Sequence, residues 1–145
     1  MIRQATTADL DGLLLLEAQF SGDRLSRRAF RRHLSSPRSR LSVATSDDRL
    51  LGYALLLCRA DSTWWRLYSL VRAEWAPAGT GRRLLVAAID AAREAGANGV
   101  RLEVRADNAR AIRLYRDLGF TLFATLDGYY EDGAAALRMA LAFVD

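Results

Sequence analysis

The stretch Leu102-Glu103-Val104-Arg105-Ala106-Asp107-Asn108-Ala109-Arg110-Ala111-Ile112-Arg113-Leu114-Tyr115-Arg116-Asp117-Leu118-Gly119-Phe120 changes its period part-way along. At its start, Leu102 and Val104 face one way, while Arg101, Glu103 and Arg105 face the other. That alternation is the period-two pattern of a strand with two distinct faces. Asp107 or Asn108 then supplies a helix cap, and Ile112, Tyr115 and Leu118 fall along one side of a helix. Gly119 is its stop, and Phe120 opens another strand.

The same reading extends in both directions. Upstream, Gly79-Thr80-Gly81 opens a helix with Leu84, Leu85, Ala88, Ile89 and Ala92 at helical spacing, ending at Gly96. Before it lies a strand from about Trp64 to Arg72. Strands at about Leu41 to Thr45 and Leu50 to Cys58 are joined by an Asp47-Asp48 hairpin turn. The N-terminal part gives a short strand from Met1 to Gln4, a Thr6-capped leucine-rich helix to about Gln19, and an arginine-rich helix from Ser26 to about Leu34. Phe20 to Asp23 joins those helices, with Gly22 and Asp23 as turn residues. Downstream come strands at Phe120 to Leu126 and Ala135 to Phe143. The order β-α-α-β-β-β-α-β-α-β-β predicts a mixed α/β sheet of about seven strands flanked by about four helices. At 145 residues it fits one domain over residues 1–145, without disulfide or metal staples.

Composition narrows the function classes. The chain is 51% hydrophobic and 26% charged, an ordinary globular balance. Cys58 is the only cysteine and His33 the only histidine, so no cysteine/histidine metal cluster can form, and Cys58 reads as a buried thiol. Met1-Ile2-Arg3-Gln4 lacks a signal-peptide pattern, and no apolar run approaches the ~20 residues of a membrane span. The expectation is a cytoplasmic protein with no membrane partner. All 21 basic residues are arginine, yet the net charge is only +4. Arg24, Arg27, Arg28, Arg31 and Arg32 crowd one helix. A solvated face accounts for them, because a nucleic-acid patch usually carries a larger excess.

Three segments carry chemistry. Gly79-Thr80-Gly81-Arg82-Arg83 puts a helix N-terminus, with its free N–H groups, beside two guanidiniums that oppose the helix dipole unless an anion binds there. Gly-x-Gly alone also fits an ordinary loop. Glu103 could pair with the arginines on its own strand face, or act as a base. Tyr115 could pack on the sheet with its hydroxyl in water, or donate a proton. In Asp127-Gly128-Tyr129-Tyr130-Glu131-Asp132-Gly133, adjacent tyrosines cannot share one strand face. One of them lines something, or the hairpin tip packs down.

In order and spacing, these blocks resemble the GCN5-related N-acetyltransferase (GNAT) superfamily, and within it the bacterial ribosomal-protein-alanine N-acetyltransferase type. The match runs from Leu67 to Leu141; the N-terminal half agrees in layout. The resemblance implies an acetyl-CoA-dependent N-acetyltransferase without a metal. Gly79, Thr80, Gly81, Arg82 and Arg83 would hold the CoA pyrophosphate, Leu70 and Val71 the pantetheine arm, and Asn108 the CoA chain. Glu103 would be the general base and Tyr115 the proton donor to the leaving sulfur. Phe20, Tyr129 and Tyr130 would hold the acceptor, a protein or peptide N-terminus. A small amine in a compact pocket, and a CoA-binding module without turnover, are the alternatives. One departure stands out: Ala76 and Pro77 occupy positions where the family usually carries Gln or Arg followed by Arg or Gly.

Overall fold

In the computed structural model, which describes residues 1–20 and 24–144, seven strands lie side by side in the order β1-β2-β3-β4-β5-β7-β6. They are β1 (Ile2–Gln4), β2 (Ser39–Ser46), β3 (Arg49–Cys58), β4 (Trp64–Arg72), β5 (Gly99–Arg105), β6 (Thr121–Leu126) and β7 (Ala136–Ala142). Four α-helices flank them: α1 (Leu10–Glu17), α2 (Arg27–Ser35), α3 (Thr80–Glu94) and α4 (Ala109–Asp117). The predicted order is the observed one. A 3-10 turn at Thr7–Asp9 precedes α1, so the helix starts later than Thr6. The turn expected at Gly22 and Asp23 lies outside the described residues.

Local chemistry explains the elements. The Thr6 N–H donates to the Asp9 carboxylate at 2.8 Å, and Arg3 holds that carboxylate with two 2.8 Å bonds. The Ser26 hydroxyl accepts from Ala29 N–H and starts α2. Asp47 and Asp48 both take positive φ, +50° and +64°, as a two-residue turn between twisted strands demands. On α3, Leu84, Leu85, Ala88, Ile89 and Ala92 are all buried, as their spacing predicts. Cys58 departs from expectation. It is half-buried at the end of β3, where the strand leaves the core, rather than buried within it.

The sheet is mixed because β4 reaches β5 through the α3 crossover, which makes that pair parallel; the remaining neighbours are antiparallel. The parallel ladder is short. It runs from Trp64 and Gly99 to Leu67 and Leu102 and then stops, although both strands continue. At that point β4 carries a bulge: Leu56 pairs with Leu67 and Leu55 with Ser69, leaving Tyr68 as the extra residue. A bulge bends its strand and re-aims the side chains beyond it. The two strands therefore separate past Leu67 and Leu102.

Candidate active site

The separation between β4 and β5 sets the site. A cavity of about 230 Å³ opens there, lined by Tyr68, Leu70, Glu103, Asn108, Tyr115 and Tyr130 among others. A neighbouring cavity of about 450 Å³ shares Leu70, Asn108 and Tyr115 with it and extends past Val71 to Gly79, Gly81 and Arg82. Phe20, from the end of α1, lines this second cavity. The structure thus brings most of the predicted site residues onto one continuous gap. Thr80, Arg83 and Tyr129 lie outside the lining; Tyr129 is exposed and meets Tyr130 edge-on at 5.0 Å.

The start of α3 fits an anion. Gly79 caps the helix at φ +91°, a left-handed conformation that costs an L side chain about 1–2 kcal/mol. Among the described residues, the N–H groups of Gly79, Gly81 and Arg82 have no protein acceptor. Thr80 is different: it is fully buried, and its hydroxyl donates to the Pro77 carbonyl at 2.8 Å. Its N–H is turned to the same oxygen at 3.3 Å. The Ala76 N–H bonds Ala73, and Pro77 has none to offer. Three free donors and the Arg82 side chain remain on the cavity.

Glu103 sits mid-strand on β5, largely covered. Arg66 of β4 bonds one carboxylate oxygen, and Arg138 of β7 bonds the other at 3.3 Å. Its expected pairing with Arg101 and Arg105 does not form. Same-face residues on one strand stand ~7 Å apart, whereas cross-strand neighbours stand ~5 Å apart. Arg138 is the direct register partner of Glu103, and Arg105 instead binds Asp107 and Asp132, drawing both carboxyls below their usual range. Arg105 also lies 5.0 Å over the Tyr130 ring, tying the β6–β7 loop to the start of α4.

Tyr115 is buried against Phe120, with ring centroids 5.7 Å apart. Burial, with a smaller contribution from Tyr130, pushes its phenol up to about 12. Its hydroxyl has no protein partner among the described residues, yet it is not sealed from solvent, so it opens into the cavity. Asn108 uses its side-chain oxygen to cap α4 on Ala111 N–H at 3.2 Å, which leaves its amide N–H₂ unpartnered. A carboxylate with both oxygens fixed, a phenol held protonated and three aimed N–H groups now share one gap. That set can take a proton, donate a hydrogen bond and bind a phosphate.

Sequence reasoning missed several supporting residues. Arg66 and Arg138 hold the carboxylate. Gln19 bridges the end of α1 to the segment after β4, accepting from Glu74 N–H at 2.7 Å. Glu17, almost fully buried, accepts from the Tyr53 hydroxyl and from Leu25 N–H. The one available signal was a lone charge inside an apolar strand, as at Arg138 between Leu137 and Met139. A larger concavity, about 950 Å³, lies away from this gap beside α1 and the Asp47-Asp48 turn; Arg3 and Asp9, which line it, pair with each other.

Comparison with known proteins agrees with this geometry. The model of the acetyltransferase (GNAT) family matches residues 8–120. N-alpha-acetyltransferase RimI of Mycobacterium tuberculosis is 38% identical over 92% of this chain and 87% of its own length. An uncharacterized protein of Mycobacterium leprae is 35% identical over 96% of this chain, which spans only 40% of that relative's length. The crystal structure of the ribosomal-protein-S18-alanine N-acetyltransferase from Escherichia coli superposes with a TM-score of 0.88 at 28% identity, covering 100% of this chain and 94% of that one. With the split sheet, the glycine-capped α3 and the Leu102 to Phe120 unit all in place, the chain belongs to the acetyltransferase (GNAT) family.

Proposed function

We propose that this protein transfers an acetyl group from acetyl-CoA directly to the α-amine at the N-terminus of a protein or peptide. The observation that carries this reading is the convergence of Glu103 and Tyr115 on one cavity where β4 and β5 part. The similarity to RimI-type enzymes, named for N-alpha-acetyltransferase activity, supports the choice of amine.

Acetyl-CoA supplies an acetyl group already activated as a thioester. The free N–H groups of Gly79, Gly81 and Arg82, with the Arg82 guanidinium, would hold its pyrophosphate. Strand edges at Leu70 and Val71, left without a β5 partner, would take the pantetheine arm, and the unpartnered amide of Asn108 would bind beside it. Thr80 and Arg83 would serve this end of α3 structurally, Thr80 by fixing the turn on Pro77.

An acceptor amine must be neutral to attack. An α-amine, with a pKa of ~7.7–8.0, gives up its proton at pH 7 for about 1 kcal/mol, against about 4.6 kcal/mol for a lysine near 10.4. A carboxylate base reached directly or through one water suits the first task. Arg66 and Arg138 orient the Glu103 oxygens, and Phe20, Tyr129 and Tyr130 would border the acceptor. Tyr115, held near 12, cannot easily surrender its proton to a thiolate of ~8.5; full transfer is uphill by about 5 kcal/mol. Its part is to donate a hydrogen bond to the departing sulfur. Cys58 lies at the other end of β3 and takes no part. The cytoplasm is the proposed location. Among the described residues no helix is long and apolar enough to cross a membrane.

The test is mass spectrometry of an alanine- or serine-initiated peptide incubated with enzyme and acetyl-CoA. A single acetyl on the α-amine is expected. Turnover of a small amine with no peptide product would replace this reading.

A further inference from the structure

We infer that the acceptor side of the gap carries an acid-binding subsite, formed by Arg59, Arg66, Arg101 and Arg138, which selects N-termini with aspartate or glutamate at their second to fourth residues. This rests on the N-terminal acetylation proposed above.

Beyond Glu103 the gap opens into a further cavity of about 290 Å³, lined by these four arginines and Phe123. Glu103 is the residue it shares with the cavity that holds Tyr115. The charge inside is unbalanced: four guanidiniums surround one carboxylate. Arg66 and Arg138 both spend a hydrogen bond on Glu103. Among the described residues Arg59 reaches one carboxylate, that of the exposed Asp61, at 3.4 Å. Arg101 has no carboxylate partner among the described residues, although it stands directly opposite Arg66 in the parallel ladder. Like charges opposed across neighbouring strands are destabilising. A sheet face that retains them next to a reactive carboxylate is arranged for an anion that arrives with the substrate.

Reach sets which residues supply the anion. An extended peptide advances ~3.3 Å per residue, and Arg101 lies two strand positions from Glu103, ~7 Å. With the α-amine at Glu103, side chains of the second to fourth acceptor residues come level with Arg101 and Arg59. The exposed ring of Phe123 lies at the mouth of this cavity, where it can cover their methylene groups. A basic N-terminus meets repulsion instead.

The test uses three alanine-initiated peptides that differ only at positions two to four: Asp-Glu-Asp, Ser-Gln-Ser and Arg-Arg-Arg. Initial rates with saturating acetyl-CoA give kcat/KM for each. The acidic peptide is expected to exceed the neutral one by about three- to tenfold, mostly through KM, and to lose the advantage as salt rises. The double variant Arg59→Gln/Arg101→Gln, which leaves both contacts of Glu103 intact, should bring the acidic peptide to within about twofold of the neutral one. Its rate on the neutral peptide should be unchanged, which also reports that it is folded. Arg101→Glu should turn the preference toward the basic peptide. Equal kcat/KM for all three peptides, or a preference that survives the double variant, overturns the subsite while leaving N-terminal acetylation standing. If no peptide is acetylated and a small amine is, both readings fall.

Discussion

In the proposed reaction, Tyr115 and Glu103 divide the chemistry by environment. Because burial holds the Tyr115 phenol up to about 12, it remains a donor through the whole working range, and kcat/KM should show no fall near pH 10. Tyr115→Phe removes one hydrogen bond to a charged leaving group. It should lower kcat by about 10- to 100-fold with little change in the KM for acetyl-CoA. An equal loss in KM would mean that the ring positions the cosubstrate instead. Glu103→Gln should cost about 100-fold at pH 7. That defect should shrink by about tenfold at pH 9, where most of an α-amine of pKa ~8 is already neutral and needs no base. A defect independent of pH would assign Glu103 to binding rather than proton removal. That Glu103, Asn108 and Tyr115 line one gap was legible in the sequence because they fall within one strand-helix unit, where spacing maps onto geometry. Arg66 and Arg138 were not. Their contact with Glu103 depends on register across three strands, and nothing local to Trp64-Trp65-Arg66 or Leu137-Arg138-Met139 records it.

At the scale of elements, two turns are suboptimal for opposite reasons. The Asp47-Asp48 turn needs positive φ at both residues, which aspartate tolerates at a cost that glycine escapes. Asp48→Gly should raise stability by about 0.5–1 kcal/mol, a Tm increase of about 2–3 °C in a thermal melt, without altering turnover. Before α3 the deficit concerns binding. Pro77 supplies no N–H, and its carbonyl occupies the Thr80 hydroxyl. Pro77→Gly restores one donor beside the free N–H groups of Gly79, Gly81 and Arg82. Calorimetry should show acetyl-CoA binding about 3- to 10-fold tighter, and unchanged affinity would mean that position 77 points away from the phosphates. The hairpin, the glycine cap and the crossover helix could each be read from a few consecutive residues. The bulge at Tyr68 could not, because a strand with an extra residue has the same composition as one without it. The bulge appears only when β4 is set in register against β3, and it marks where β4 parts from β5.

Across the whole molecule the decisive oddity is that every basic side chain is arginine. A lysine-free chain keeps its cationic charge well past pH 11, so alkaline titration there reports on its five tyrosines. Burial shifts three of them upward, half-buried Tyr130 among them; the two that lie in the core are Tyr115, raised to about 12, and Tyr53, whose hydroxyl lies among Glu17 and Ser69. Unfolded, both titrate near 10. A folded pKa above the unfolded one means that the unfolded chain holds fewer protons at high pH, so folding loses stability as pH climbs. The contribution is complete below pH 10 and declines as pH rises toward 12 and beyond. For Tyr115 alone the loss by pH 11 is about 1.4 kcal/mol, or about 3–5 °C in Tm. Thermal melts should therefore be flat from pH 8 to about 9.5 and then fall. Tyr115→Phe should fall less steeply, and the tyrosinate absorbance of the folded protein should account for fewer than five phenols at pH 11. If all five ionised together near pH 10 without unfolding, Tyr115 would be in contact with bulk water, and its role as a donor held protonated beside the sulfur would fail with it.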